Sequence, residues 1–419
     1  MTSSNTFFEK LTLLPLKRIR VIDTSHVIAG PLATHQLCML GAEVIKIERP
    51  AHGDALRGLG TSPELGGLTP AFIGLNAGKK SVALHLDSPL GQRALYQLIA
   101  DADVFVENFK PGTAAKLGID AATLHAINPR LIYCSISGWG QEGDYAARGA
   151  YDHVIQAATG MMTLQGSDPL APPVKVGFPI IDAATGQSAA LAILAALLRR
   201  QAGDPTPIYI DASMVDASLQ LMSSMATSYL VAGQPSARKG NRGFVDSPGS
   251  DTFPCADGWL STGANTLGQF ERLCAVIGRP ELATAPRWLL RRPDGPQAFL
   301  SGCAGPDLRA ELCSAFQRGR AVDWEEKLNR HNVPCSAVRS IQEYLDGPYR
   351  NGGGITSRVA QPTQAGVREI ELIGAGFRWS GDQPVPMAPA PVLGKDTEEV
   401  LRRVANLNDQ EIKELLLEA

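Results

Sequence analysis

Five short runs rich in β-branched residues, separated by helix-patterned stretches, occupy residues 18–140 and leave few folds open to them. RIRVIDTS and AEVIKIER flank HVIAGPLATHQLCMLGA, which reads as a loop entering a helix. SVALHLD leads into SPLGQRALYQLIADA, a helix with Ser88 as cap and Pro89 at its first position. DVFVENF follows, and after helical pieces near TAAKLGI and DAATLHAIN comes RLIYCSISGWG. Such runs read as strands. Strands alternating with helices predict an α/β fold: a mostly parallel sheet with helices on both faces, which binds ligands at the carboxyl ends of its strands. The first turn, SHVIAGP, has one glycine and lacks the GxGxxG spacing of a dinucleotide site.

The most informative stretch is Arg148–Gln187, and its key residue is Asp182. The apolar run GFPII delivers this carboxylate to the start of AATGQSAALAILAALL, a segment apolar on every face that reads as a buried helix. Asp182 is placed to be the N-cap. One reading is a plain cap, accepting first-turn N–H groups and stabilising the helix by about 1 kcal/mol. The other is a nucleophile, kept ionised by the helix dipole while the same N–H groups stabilise an oxyanion.

Further along, PIYIDAS supplies another strand, and MVDASLQLMSSMATSYLVAG a long helix whose methionines read as packing. QPSARKGNRGFVDSPGSD reads as a linker, and TFPCADGWLSTGANTLGQFERLCAVIGRP opens a smaller α+β region. LNDQEIKELLLEA is a helix capped by Asn408.

Charge and cysteines narrow the function. A net charge of -3 gives no general pull toward nucleic acid or an acidic membrane surface. Seven scattered cysteines without CxxC spacing argue against a disulfide framework or zinc site and for a reducing cytosol. Neither a signal-type run nor an unbroken membrane-length apolar stretch is evident, so a soluble, cytoplasmic protein is expected. HExxH, GxSxG, Walker and EF-hand patterns are missing, leaving metal and serine-triad chemistry unsupported.

Basic residues near strand ends, namely Arg49, Lys79, Lys80, Lys110, Lys116 and Arg148, could meet phosphates. Taken individually, each reads first as a solvated surface charge. Of the histidines, His125 and His153 read as structural or surface groups, and Asp152 after Tyr151 as a first-turn acid of a helix.

Several blocks, in order, resemble the class III CoA transferases: RVIDTSHVIAGPLATHQLCMLGAEVIKIERPAHGD, NAGKKSVALHLDS, DVFVENFKPG, ISGWGQEG, GFPIIDAATG and PVLGKDTEEVL. The resemblance implies a Rossmann-like large domain built from both ends of the chain, a small middle domain, and an interlocked homodimer. The expected parts are residues 1–232 (large domain, N-terminal part), 233–252 (linker), 253–340 (small α+β domain) and 341–419 (return to the large domain). It also implies that Asp182 attacks an acyl-CoA thioester, and that CoA passes to a free carboxylic acid through a mixed anhydride and an aspartyl-CoA thioester, without metal. His26, Val27, Ile28 and Ala29 would line the CoA arm, with Arg49, Leu84, Asn108, Phe109 and Lys116 near the nucleotide and Arg148 and Tyr151 toward the reacting centre.

Two departures bear on substrate. Ile28 stands where formyl-CoA transferase has Gln, and GNRGFVDSPGSD replaces its glycine run, so a larger acid is expected, a dicarboxylate or a branched acyl group, with Arg238, Lys239 or Arg242 able to meet a second carboxylate. Two alternatives remain: an α-methylacyl-CoA racemase, whose His before the Asp of AYDHV is here Tyr151, and a CoA-binding protein without activity.

Overall fold

The structure, a computed structural model, describes residues 14–60, 63–65, 68–168, 170–243, 246–348, 356–363, 366–379, 386 and 388–418. Two compact units emerge, one from residues 1–161, 176–231 and 354–419, the other from 162–175 and 232–353.

In the larger unit the six predicted strands are β1 (Arg20–Asp23), β2 (Glu43–Glu48), β3 (Lys80–Ala83), β4 (Val104–Glu107), β5 (Ile132–Ser137) and β6 (Ile208–Ser213). They form one parallel sheet in the order β3-β2-β1-β4-β5-β6. The winding direction reverses between β1 and β4, the place where parallel sheets of this kind bind ligands. Side chains alternate across the sheet, so Ile22, Ile45, Phe105 and Tyr133 enter one core with Leu95, Leu98 and Ile99 of α3 (Pro89–Ala100). Val21, Val44, Val104 and Ile132 enter the other, with Ala33 and Leu37 of α1 (Ala29–Met39) and Ala189 and Ile193 of α7 (Ile180–Gln201). Between α1 and α3 lies α2 (Pro70–Asn76), and α4 (Thr113–Lys116), α5 (Ala121–Ile127) and α6 (Asp152–Ala158) precede α7. Ser88 caps α3 by accepting the Gly91 N–H at 3.0 Å, with Pro89 at the first position, as its sequence predicts.

Residues 396–415 finish this unit. The Ser81 N–H donates to Asp396 Oδ2 (2.8 Å), the Asp396 N–H to the Ser81 carbonyl (3.0 Å), and the Ala83 N–H to Thr397 Oγ1 (2.9 Å), which covers the open edge of β3. Val400, Leu401, Ile412 and Leu415 then fill the core beside Val82 and Leu95. Asn408 Oδ1 accepts the Glu411 N–H at 3.0 Å, capping the helix Asp409–Glu418.

α7 departs from the all-round burial its composition predicts. One face, including Ile181, Thr185, Ala189 and Ile193, is buried, while Leu191 and Leu198 are 69% and 66% exposed. By length and composition alone this helix is apolar enough to cross a membrane, a test that a core helix also passes, and it is interrupted by Asp182, Thr185, Gln187 and Ser188. After β6 come α8 (Met214–Leu221) and α9 (Ser223–Ala232), which carry exposed Leu219, Leu221, Tyr229, Leu230 and Val231.

The smaller unit has an antiparallel three-stranded sheet, β7 (Thr252–Pro254), β8 (Trp259–Thr262) and β9 (Cys335–Ala337), packed with helices around Phe253, Phe270, Phe316 and Trp324. The stretch that reads as a linker is tied into it: Ser247 Oγ donates to the Ala264 carbonyl at 2.8 Å and the Gly243 N–H to the Ser250 carbonyl at 2.7 Å.

Candidate active site at the start of α7

α7 starts at Ile180, so Asp182 is its third residue and not its cap. The capping carboxylate is Asp152, at the start of α6, which the sequence presents only as a first-turn acid. Asp152 Oδ2 accepts the N–H groups of Ile181 (2.6 Å) and Asp182 (3.1 Å). Those of Ile180 and Ala183 go to the carbonyls of Phe178 (2.8 Å) and Pro179 (3.1 Å). The N–H groups expected to face an oxyanion at this helix mouth are therefore occupied. The Asp182 carboxyl is half-buried and its pKa is pushed up to about 6, by burial first and the Asp152 charge second. Desolvation and like charge outweigh the helix dipole, which would have lowered it.

Gly186, one turn on, shares a face with Asp182. A Cβ there would lie 2.7 Å from the Ala29 carbonyl oxygen and 3.0 Å from Leu32 Cβ, so α7 and α1 meet at backbone distance. Both are crossover helices of one parallel sheet and run in the same direction. One turn before Gly186 on α7 thus corresponds to the loop before Ala29 on α1, and Asp182 is carried toward residues 25–28.

That loop is held from several sides. Val27 has φ +68°, a left-handed conformation that β-branched residues rarely adopt. The His26 N–H donates to Asn108 Oδ1 (2.9 Å), Asn108 Nδ2 to the His26 carbonyl (2.7 Å), and the Val27 N–H to Asp54 Oδ1 (3.1 Å). Lys46 Nζ donates to the Ser25 carbonyl (2.6 Å) and pairs with Asp54 Oδ2 at 3.0 Å, both side chains buried. Ile28, at the N-cap of α1, supplies no side-chain acceptor to the first turn, where Ala29 and Gly30 are buried.

Beside the loop, at the carboxyl ends of β1–β3, lies a cavity of about 360 Å³ lined by His26, Arg49, Leu84 and Phe109 of the predicted residues, together with Lys46, Asp54 and Leu117. The His26 ring stands edge-on to Phe109 at 5.2 Å, and its pKa is lowered by burial and then by Lys46. Arg49 pairs with Asp87 at 3.2 Å. Ile28 packs against the cluster of Leu56 and Phe72.

Other predicted residues lie outside the cavity lining. Lys116 ends α4, exposed; Arg148 lies over the Tyr145 ring at 3.8 Å; Tyr151 is exposed and stacks on His153 at 6.2 Å. Lys79 is no phosphate ligand on this geometry: it is fully buried, donating to Asp23, Thr34, Asn76 and the Pro31 carbonyl. In the smaller unit Arg238 donates to the carbonyls of Thr163, Asp168 and Ala171, and Arg242 pairs with Asp246 at 3.0 Å. Among the described residues no group of three or more His, Cys, Asp or Glu gathers as for a metal ion.

Asp152, Gln156, Lys46 and Asp54 were missed in the sequence. The first two stand four apart in YDHVIQ, a one-face helical spacing that was available as a signal.

Comparison with known proteins identifies the family. A model of CoA-transferase family III matches residues 16–397. The chain is 31% identical over 402 residues to succinyl-CoA:glutarate CoA-transferase of Homo sapiens, covering 96% of this chain and 89% of that one. It is 33% identical over 421 residues to formyl-CoA:oxalate CoA-transferase of Streptomyces coelicolor, covering 96% and 98%. A crystal structure of a CAIB/BAIF family protein from Brucella suis superposes with a TM-score of 0.79 at 28% identity, covering 93% of this chain and 99% of that one. The chain belongs to CoA-transferase family III and is a CoA-transferase that uses acyl-CoA as substrate.

Proposed function

We propose that Asp182 is the nucleophile of a transfer that moves CoA from an acyl-CoA to a free dicarboxylic acid. A carboxylate oxygen of Asp182 attacks the thioester carbon, and the C–S bond breaks to release CoA thiolate and leave a mixed anhydride. The thiolate attacks the aspartyl carbonyl, expelling the donor acid and forming an aspartyl-CoA thioester. The acceptor carboxylate displaces the thiolate to give a second anhydride, and the thiolate takes the acceptor's acyl carbon, regenerating Asp182. Each step exchanges one acyl bond for another, and no proton or electron is left over.

The observation that carries this reading is the Gly186–Ala29 approach, which brings a half-buried carboxyl of raised pKa toward the loop where the sheet reverses. A carboxylate of pKa about 6 is ionised at neutral pH yet more basic than an ordinary Asp. The first-turn N–H groups of Ala29 and Gly30, which the Ile28 side chain does not cap, are candidate donors for the tetrahedral oxyanion. The cavity lined by His26, Arg49, Leu84 and Phe109 is suited to the nucleotide end of CoA. The dicarboxylic acceptor is supported by relatives named as succinyl-CoA:glutarate and succinate–glutarate CoA-transferases. Exposed Leu191, Leu198, Leu219, Leu230 and Val231 support a homodimer in which α7–α9 are covered by a second, interlocked copy.

Mass spectrometry tests the central step. Wild type incubated with a panel of acyl-CoA esters and trapped with hydroxylamine should carry the modification on Asp182, and Asp182→Asn should lose transfer while binding CoA as before. Equal turnover by the two proteins rejects the reading, and light scattering that finds a monomer rejects the dimer.

A further inference from the structure

Asp152 and Gln156 sit on one face of α6, Asp152 9% exposed and Gln156 fully buried. Gln156 Nε2 donates to Asp152 Oδ1, and Gln156 Oε1 accepts the Val176 N–H at 2.8 Å. With the other oxygen of Asp152 on the N–H groups of Ile181 and Asp182, this pair fixes both the incoming segment at Val176 and the first turn of α7. A helix start can be capped by any small polar acceptor, and an uncharged one avoids burying a second carboxylate beside Asp182. Here the cap is charged, and a glutamine held at both ends prevents it from turning away.

From this geometry we infer that Asp152 is the positioning residue of Asp182: it fixes the backbone from which that carboxylate projects, and its negative charge makes the ionised side chain a more reactive group. The inference rests on the nucleophile reading above. Repulsion between the two carboxylates exists only while Asp182 is ionised, and it vanishes when Asp182 becomes an anhydride or thioester, so acylation relieves it. The rise of the Asp182 pKa to about 6 accords with this, since Asp152 is the charge that contributes to it. The other titratable groups on elements packed against α7 are His26 in the loop before α1, His35 and Cys38 on α1, His153 on α6, Tyr133 and Cys134 on β5, Tyr209 and Asp211 on β6, and Asp216 on α8. His35 is buried, and Asp216 is engaged by Ser213 Oγ at 2.5 Å.

The test uses full-length Asp152→Asn and Asp152→Ser, neutral side chains that still accept the two N–H groups, so that one folding failure leaves the other. Two readouts are taken: carbon-13 carboxyl titration of Asp182, assigned against Asp182→Asn, and the pH dependence of kcat/KM. The Asp182 midpoint should fall by up to about 1 unit, because burial, the larger cause of the rise, remains. The acidic limb of kcat/KM should fall with it, and kcat should drop about tenfold at pH 8 while KM for acyl-CoA stays within about twofold. Asp152→Glu, which restores the charge on a longer arm, should return the titration toward that of wild type. An unmoved Asp182 titration in a folded neutral variant overturns the inference. A titration that moves while the pH–rate profile does not leaves the contact of the two carboxylates standing but fails the nucleophile reading, and with it the effect of Asp152 on reactivity.

Discussion

Gly186 faces the carbonyl oxygen of Ala29 so closely that an added Cβ would lie 2.7 Å from it. In an open helix Gly→Ala gains about 0.5–1 kcal/mol. At Gly186 overpacking costs about 1–3 kcal/mol and wins, because a backbone oxygen cannot swing aside as a side chain does. Gly186→Ala should therefore lower the denaturation midpoint and reduce turnover by about tenfold or more through misplacement of Asp182. Gly74→Ala on α2, where nothing stands within 4 Å, should stabilise. A gain in stability at both positions contradicts the close crossing.

The raised Asp182 carboxyl makes stability depend on pH in a definite direction. Folding favours its protonated form, so that contribution is complete below about pH 4 and is lost as pH rises through about 6. A rise from 3.8 to about 6 corresponds to about 3 kcal/mol. Asp182→Asn, which never ionises, should match wild type at pH 4 and exceed it by up to that amount at pH 8 in chemical denaturation. A constant difference across the range refutes the shift.

Asn108 uses its whole amide on the backbone of His26. Asn108→Ala leaves an N–H and a carbonyl unpaired, at a cost of about 1–3 kcal/mol. The loop should loosen, raising KM for acyl-CoA, and hydrogen exchange at residues 25–28 should accelerate. Unchanged exchange would show that the loop does not depend on this residue.

Asp54→Ala takes one carboxylate from the buried Lys46 ammonium, which keeps the Ser25 carbonyl and the charges of Asp23 and Glu48, and it frees the Val27 and Leu56 N–H groups; it should cost about 1–3 kcal/mol. Adding Lys46→Met removes the charge that lost its partner and should recover part of the loss. If the double variant is no better than the single one in urea melts, the pair is not coupled as described.

The sheet was legible because β-branched runs and helical periods alternate within short range, and each strand carries its own signal. Asp182 was legible as the residue at the mouth of α7, but its cap was not: Asp152 lies 30 residues earlier and reaches Asp182 only through the fold. The half-exposure of α7 was hidden because composition states how apolar a helix is and not which neighbour covers it. Lys79 reads as a phosphate contact or a solvated charge, and Lys46 and Asp54 carry no signal of their own; only the assembled sheet shows all three paired inside.

The bonds from Asp396 and Thr397 to β3 tie the sheet to a segment synthesised more than 300 residues later. On the ribosome, β1–β3 emerge with their outer edge bare and with the places of Val400, Leu401 and Leu415 unfilled. A nascent chain halted before residue 396 would display a sticky strand to its neighbours, so chaperone demand should fall off once that segment has left the exit tunnel.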